Sequence, residues 1–404
     1  MRIRKLWLRQ FRNIRELEYE AAPGLNFLFG DNGQGKTSIL EGLGYLGSLR
    51  SFRGSKTPEV ISWGSEAAEI RALVAPEAAP DLETELKLCF SGHSKTAFIN
   101  GKGYRSTTSY LSQRFGQYEL GIHAIVFNPS DHDLVRGEPS DRRAYLDHAV
   151  AAEGLEYLKL HTRYRELLEQ RHALLKSPVP APRDVLLGFT EPWVEAGARL
   201  TLFRLSWIQR LQNLLPEIAR QIAPAQPTLR LIYHSNWAPE IAGLSIKNKD
   251  LDVVHFTGQS PLPSLQDLET AFWKQLSVLE TAEQRQGVSL VGPHRDDWGF
   301  RIGDHPLKGH GSQGEVRTAL LSLKLSELQL FREATGHRPL FLLDDFSSEL
   351  DRERRLFLLR FLSETDLQVF VTSTESLAGT DALGPKLRIH EGAWVSGDIT
   401  SKRL

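Results

Sequence analysis

Cysteine is almost absent from this chain of 404 residues: Cys89 stands alone, so neither an intrachain disulfide nor a paired-cysteine metal site can form. Lying in the strand-like run TELKLCF, Cys89 is expected in the core rather than as a reactive thiol. Long apolar runs are also missing. No stretch of about 18 apolar residues occurs, so no membrane-spanning helix is expected. The opening MRIRKLWLRQFRNI alternates charged and apolar residues and lacks the apolar core of an export signal, which leads us to expect a soluble, cytoplasmic protein. Charge of either sign is not in surplus, with 49 Lys and Arg against 50 Asp and Glu. Contact with nucleic acid would therefore have to come from local patches. Sustained heptads are lacking, which excludes a long coiled coil.

What the chain does have is a hydrophobic content of 41%, enough for a large core and two lobes. Residues 1–30 read as β, ending in the buried run Leu25–Phe29. The segment ILEGLGYLGSLRSFRG reads as a helix ending near Gly54, and residues 84–105 as short strands turning at SGHSK and at Asn100-Gly101. From about residue 139 the spacing turns helical, with the Pro-rich stretch 177–182 separating two helices. A helix opens at the capping box Ser264-x-x-Asp267, and β character returns near 288, followed by an α/β ending. The expected class is α/β, a head of strands and helices with a flanking β-layer and an inserted, mainly helical lobe. Its divisions are expected at 1–135 and 289–404 for the head and 136–288 for the lobe.

The sharpest chemical signal is GDNGQGKTS, comprising Gly30, Asp31, Asn32, Gly33, Gln34, Gly35, Lys36, Thr37 and Ser38. It satisfies the P-loop pattern between an apolar strand and a helix. Glycines let successive backbone N–H groups wrap phosphates, the lysine reaches the β- and γ-phosphate oxygens, and the hydroxyl serves Mg²⁺. ATP with Mg²⁺ is the expected ligand. A second apolar run, PLFLL, delivers Asp344 and Asp345 at its C-terminal end, where open α/β sheets bind their ligands. Read as Walker B, Asp344 would join Thr37 in holding Mg²⁺, and Asp345 would orient or deprotonate the attacking water. Ser312, Gln313 and Gly314 precede an amphipathic helix in the manner of an ABC signature motif, where a hydroxyl and free N–H groups suit a γ-phosphate. SSELD after Walker B then takes the D-loop place, and Thr372-Ser373-Thr374 the switch place, and that order makes the head an ABC-type ATPase head with a P-loop sheet.

Roughly 300 residues separate the two Walker motifs, far more than in a compact transporter ATPase. In this arrangement, and in FNPSDHDLVRGEPSDRRAYLDHAV, LLDDFSSELDRERRLFLL, FRNI and VGPHRDD, the chain resembles the RecF family over almost its whole length. Ser130 departs from the acidic residue usual in the family after the proline at this place, Pro129. The resemblance implies an ATPase that forms an ATP-dependent homodimer, binds gapped DNA or single-strand/double-strand junctions, and works with RecR and RecO to load RecA. It also implies that Arg12 and Asn13, in FRNI, contact nucleotide. A different SMC-like head, or a nucleotide-binding scaffold that does not hydrolyse, are the alternatives.

Other polar residues have open readings. Arg50 and Arg53 could face phosphates or cap a helix C-terminus. Arg142 and Arg143 open a helix, an unfavourable place for cations unless an ion pair or a nucleotide compensates. The cluster His294-Arg295-Asp296-Asp297 is expected to serve structural pairing. The N-terminal arginines, Lys95 in the SGHSKT hairpin, and Lys102 with Arg105 are the candidate DNA contacts, with phosphate rather than base.

Overall fold

The computed structural model describes the chain except for residues 77–78, 80, 117–119, 180, 236, 239–253, 257–260, 346–350, 375–385, 391 and 396–404. The chain divides into two compact units, one comprising Met1–Asp131 with Phe331–Leu404 and the other His132–Leu330.

The first unit holds two sheets. In one, strands Ala124–Phe127, Leu340–Leu343, Val369–Ser373, Leu25–Phe29 and Lys386–His390 lie side by side and parallel, and Ala393–Val395 adds an antiparallel edge. Its central strands are apolar without alternation, as expected where both faces are covered; all four residues of Leu340–Leu343 are buried. The other sheet is antiparallel, in the order Ile14–Glu20, Arg2–Phe11, Ala67–Ala75, Thr84–Ser91, Ser94–Ile99, Lys102–Tyr104. Here the pattern alternates. Leu6, Leu8, Ile70, Ala72, Leu86 and Leu88 face the core, each at most 1% exposed, while Trp7 on the opposite face carries the Arg71 guanidinium 4.1 Å from its ring centroid.

Cys89 belongs to that opposite face. It is half-buried rather than in the core, because strand alternation assigns the inward places to Leu88 and Phe90. The helix after the glycine-rich loop spans Lys36–Ser48 and ends earlier than expected, since Leu49 takes a left-handed conformation with φ 55°. Gly42 lets this helix approach the sheet, as a Cβ there would lie 2.8 Å from Leu8 Cδ2.

The second unit carries the helices Pro139–Glu153, Leu155–Leu175, Arg183–Ile222 and Leu265–Gln286. The Pro-rich stretch separates the second from the third, while Pro192 and Pro216 are accommodated inside the third. The unit is not helical alone. It also contains an antiparallel sheet in the order Val254–Phe256, Leu229–Ser235, Asp297–Ile302, His305–Pro306. Asp297–Ile302 is hydrogen-bonded along its length to Leu229–Ser235, and the compact unit runs on to Leu330. The helix Gln313–Thr335 therefore starts in the second unit.

A buried polar network ties this unit together around residues 294–297. Arg142 donates to both carboxylate oxygens of Asp297, at 2.7 and 2.8 Å. Asp296 accepts from the Tyr233 hydroxyl at 2.5 Å and the Trp237 indole at 2.8 Å, and Arg143 donates to the Asp296 carbonyl at 2.9 Å. The cations opening the helix Pro139–Glu153 are thus compensated by carboxylate and carbonyl partners within the same unit.

A candidate nucleotide-binding site

The strand Leu25–Phe29 ends at Gly30, whose φ of 150° brings the backbone so close to Ile389 that a Cβ would lie 2.4 Å from its carbonyl oxygen. The chain then turns through Gly33 and Gly35 at φ 80° and 105° and enters the helix at Lys36 without a side-chain cap. The first N–H groups of this helix thus have no capping side chain. Asn13 pins the loop from outside, donating to the Gly33 carbonyl at 2.7 Å and accepting from the Ser38 hydroxyl at 2.9 Å. Lys36 is nearly buried, and its ammonium donates to the carbonyls of Gly30 at 2.6 Å and Asp31 at 2.7 Å.

The strand Leu340–Leu343 brings two carboxylates to this loop. Asp344 accepts from the Thr37 hydroxyl at 2.9 Å and the Thr372 hydroxyl at 2.7 Å. Thr372 in turn accepts from the Asp345 N–H at 2.8 Å, which holds Asp345 at a left-handed φ of 51°. Asp is one of the few residues that tolerates this conformation. Burial pushes the Asp344 pKa above the usual carboxylate value, against the hydrogen bonds from Thr372 and Thr37; the Asp345 charge adds to the rise and Arg53 opposes it. Burial likewise pushes Lys36 down, against the charges of Asp345, Asp344 and Asp31. A buried cation and a buried anion, each penalised by desolvation, are a setting in which a polyanion and a divalent cation would be favoured.

Together these groups line a cleft of about 970 Å³. Thr37 and Asp344 supply a hydroxyl and a carboxylate oxygen, hard donors suited to a Mg²⁺ that keeps several waters and shares the rest of its shell with phosphate. Among the described residues no three His, Cys, Asp or Glu gather around one point.

Arg12 sits on the cleft wall, but its donors are engaged elsewhere. Its guanidinium grips the fully buried Glu41 at 2.8 and 2.5 Å and reaches the Glu59 carbonyl at 2.6 Å. Glu41 also accepts from Ser51 at 2.6 Å, and Arg53 lies 3.8 Å from it. Sequence reasoning missed Glu41, although a lone acid within ILEGLGYLG signals a buried charge that needs partners. Ser312 caps its own helix: its N–H and hydroxyl both reach Glu315 at 2.8 Å, and the Glu315 N–H returns to Ser312 at 3.3 Å. Ser312, Gln313 and Gly314 belong to the second unit. Residues 347–350 of the D-loop place lie outside the described residues.

Residues 2–383 match the family model described as RecF/RecN/SMC N terminal domain. The DNA replication and repair protein RecF of Trichlorobacter lovleyi is 35% identical over 376 residues, covering 93% of this chain and 92% of the relative. This chain belongs to the RecF family. A solved structure of the recombination mediator protein RecF with ATP, in the RecFOR pathway, superposes with a TM-score of 0.80 at 29% identity, covering 97% of this chain and 96% of that one. An SMC head bound to the C-terminal winged-helix domain of ScpA, at 12% identity and a TM-score of 0.53, shares the fold. The RecF-family chain is accordingly an ABC-type ATPase. No helix among its described residues is long and apolar enough to cross a membrane.

Proposed function

We propose that this RecF-family ATPase is a cytoplasmic, ATP-gated DNA-binding protein of recombinational repair and replication restart. ATP brings two copies together, and the dimer closes on DNA at gaps or single-strand/double-strand junctions. RecR and RecO are its partners in loading RecA, and slow hydrolysis resets the assembly. The observation that carries this reading is the hydrogen bond between Thr37 and Asp344, which joins the glycine-rich loop to the carboxylate pair.

In this reading the loop from Gly30 to Ser38 cradles the phosphates through its backbone N–H groups, and Lys36 leaves the carbonyls of Gly30 and Asp31 to neutralise phosphate charge. Bound at Thr37 and Asp344, Mg²⁺ would supply charge neutralisation at the phosphate oxygens. Asp345, held by Thr372 beside that pair, orients the attacking water and receives its proton. Asn13 positions the loop. Arg12 and Asn13 contact the nucleotide from the cleft wall, with Arg12 held in place by Glu41. Ser312 to Gly314 of one copy complete the nucleotide site of the other across a two-fold axis.

The deciding measurement is binding to gapped, single-stranded and blunt duplex DNA, with and without ATP, over a range of salt. With a net charge of −1, one copy has only patches to offer, so affinity should be low without ATP, higher with it, and should fall as salt rises. Equal affinity with and without ATP would remove the clamp.

A further inference from the structure

We propose that Trp63 is the nucleobase platform of the cleft, its indole stacking on the heterocycle of the bound nucleotide. The inference rests on the nucleotide reading given above. Trp63 is 103% exposed, the only aromatic among the large exposed apolar side chains of the described residues, whereas Trp193, Trp207, Trp237 and Trp298 are buried in the second unit. Tryptophans are on average highly buried, and an indole held wholly in water has both faces open to a flat partner.

Its position supplies the partner. Trp63 lines the same cleft as the loop Gly33–Ser38 and the Asp344-Asp345 pair. It occupies the first corner of a turn closed by the Ser65 N–H to the Ser62 carbonyl at 3.0 Å, with Gly64 at φ 81° in the second corner. A glycine there is what such a turn requires. The preceding residues are fixed to the turn at Arg12. The Arg12 N–H donates to the Val60 carbonyl at 2.8 Å, the Ser62 N–H to the Gln10 carbonyl at 2.8 Å, and the Ser62 hydroxyl to the Arg12 carbonyl at 2.6 Å. Phe11 and Ile61 form a β-bridge between the two segments. Asn13, next in the chain, holds the phosphate loop at Gly33 and Ser38. Trp63 and the phosphate loop are thus anchored to one short piece of backbone.

The loop, the lysine and the carboxylates address phosphates, metal and water, which leaves the base to the apolar part of the wall: Phe52, Pro58, Ile61 and Trp63. Phe52 is already partly covered by the helix, with its ring 3.2 Å from where a Cβ on Gly44 would lie. Trp63 has the uncovered face. Stacking reads a π-surface rather than exocyclic groups, so this contact adds affinity for purine nucleotides without separating ATP from GTP.

The test titrates wild type, Trp63→Ala and Trp63→Phe with ATP and with inorganic tripolyphosphate by calorimetry, with sedimentation run at the same concentrations. Trp63→Ala should bind ATP on the order of tenfold to a hundredfold more weakly and tripolyphosphate as wild type does, while Trp63→Phe should keep most of the ATP affinity. Unchanged ATP binding by Trp63→Ala would overturn the proposal. So would an equal loss for ATP and tripolyphosphate, which would mark a deformed loop, or a loss confined to concentrations at which the chain dimerises, which would assign the indole to a subunit contact. Wild type binding tripolyphosphate as tightly as ATP would remove the platform and leave the phosphate site standing; wild type binding neither would sink the nucleotide reading itself.

Discussion

Thr37 and Asp344, 307 positions apart in the chain, are joined by a hydrogen bond of 2.9 Å between hydroxyl and carboxylate. The contact exists because the strands Leu25–Phe29 and Leu340–Leu343 flank Val369–Ser373 in one parallel sheet. Their C-terminal ends deliver the loop and the carboxylates to the same edge. Thr372, at the end of the strand between them, bonds to Asp344 and to the N–H of Asp345.

The two aspartates should separate by function. Asp345→Asn is expected to retain ATP, to hold a dimer longer, and to release phosphate about a hundredfold more slowly or worse, since it removes only the water-orienting carboxylate. Nucleotide binding, sedimentation and phosphate release on the one variant decide this. Loss of ATP binding would show that the two roles are misassigned; phosphate release unchanged from wild type would take the water-orienting role from Asp345, and release from wild type no higher than background would favour the scaffold that does not hydrolyse.

Lys36→Met should lose ATP-dependent dimerisation, because phosphate charge is left poorly neutralised. Ser312→Arg should bind ATP but fail to close, at an added cost of about 1 kcal/mol for the lost cap to Glu315. Mixing the two inactive variants creates heterodimers in which one site carries both lesions and the other neither. Random pairing leaves about a quarter of sites intact, so partial ATPase activity should return. Background activity despite crosslinked heterodimers would contradict a shared site.

Glu41→Ala should destabilise the chain by about 3–5 kcal/mol, as it strands Arg12 beside an uncompensated cavity. Urea unfolding measures the loss. Glu41→Gln, which keeps the shape and an acceptor, should cost less. Equal costs would mean that the charge, which both variants lose, accounts for the whole effect and the shape for none of it.

Acid should weaken the second unit through His294. Its Nε2 donates to the Ser289 carbonyl at 3.1 Å and its Nδ1 accepts from the Tyr164 hydroxyl at 2.7 Å, the pattern of a neutral ring. Burial is the main cause that pushes its pKa down, to about 3. The unfolded chain takes up this proton as pH falls through about 6.5 and the folded chain only near the lower value, so the stability is complete above 6.5 and declines below it by about 1.4 kcal/mol per pH unit. Asp296, raised to about 6 mainly by burial, works in the opposite sense, gaining stability as pH falls through that value. The comparison with His294→Gln isolates the histidine: the stability difference between wild type and variant should shrink from pH 7 to pH 5. A constant difference would mean that the ring takes up its proton over the same pH range in the folded and unfolded chain.

Much of the site was legible because its chemistry is local in sequence. The glycine spacing from Gly30 to Gly35, the following Lys36 and Thr37, and the apolar run before Asp344 each carry their meaning within a few residues. Strand ends and the capping box at Ser264 were legible for the same reason.

What the sequence by itself determined, then, was the kind of chemistry and the elements that carry it, since backbone conformation and phosphate recognition depend on near neighbours. Only the tertiary structure decided which side chains meet. Arg12 faces Glu41, Arg142 faces Asp297, and Cys89 takes the half-buried side of its strand. Asp297–Ile302 pairs with Leu229–Ser235, more than sixty residues earlier in the chain. Burial and charge pairing are properties of groups far apart in the chain, and their energies exist only once the fold has brought those groups out of water and into contact.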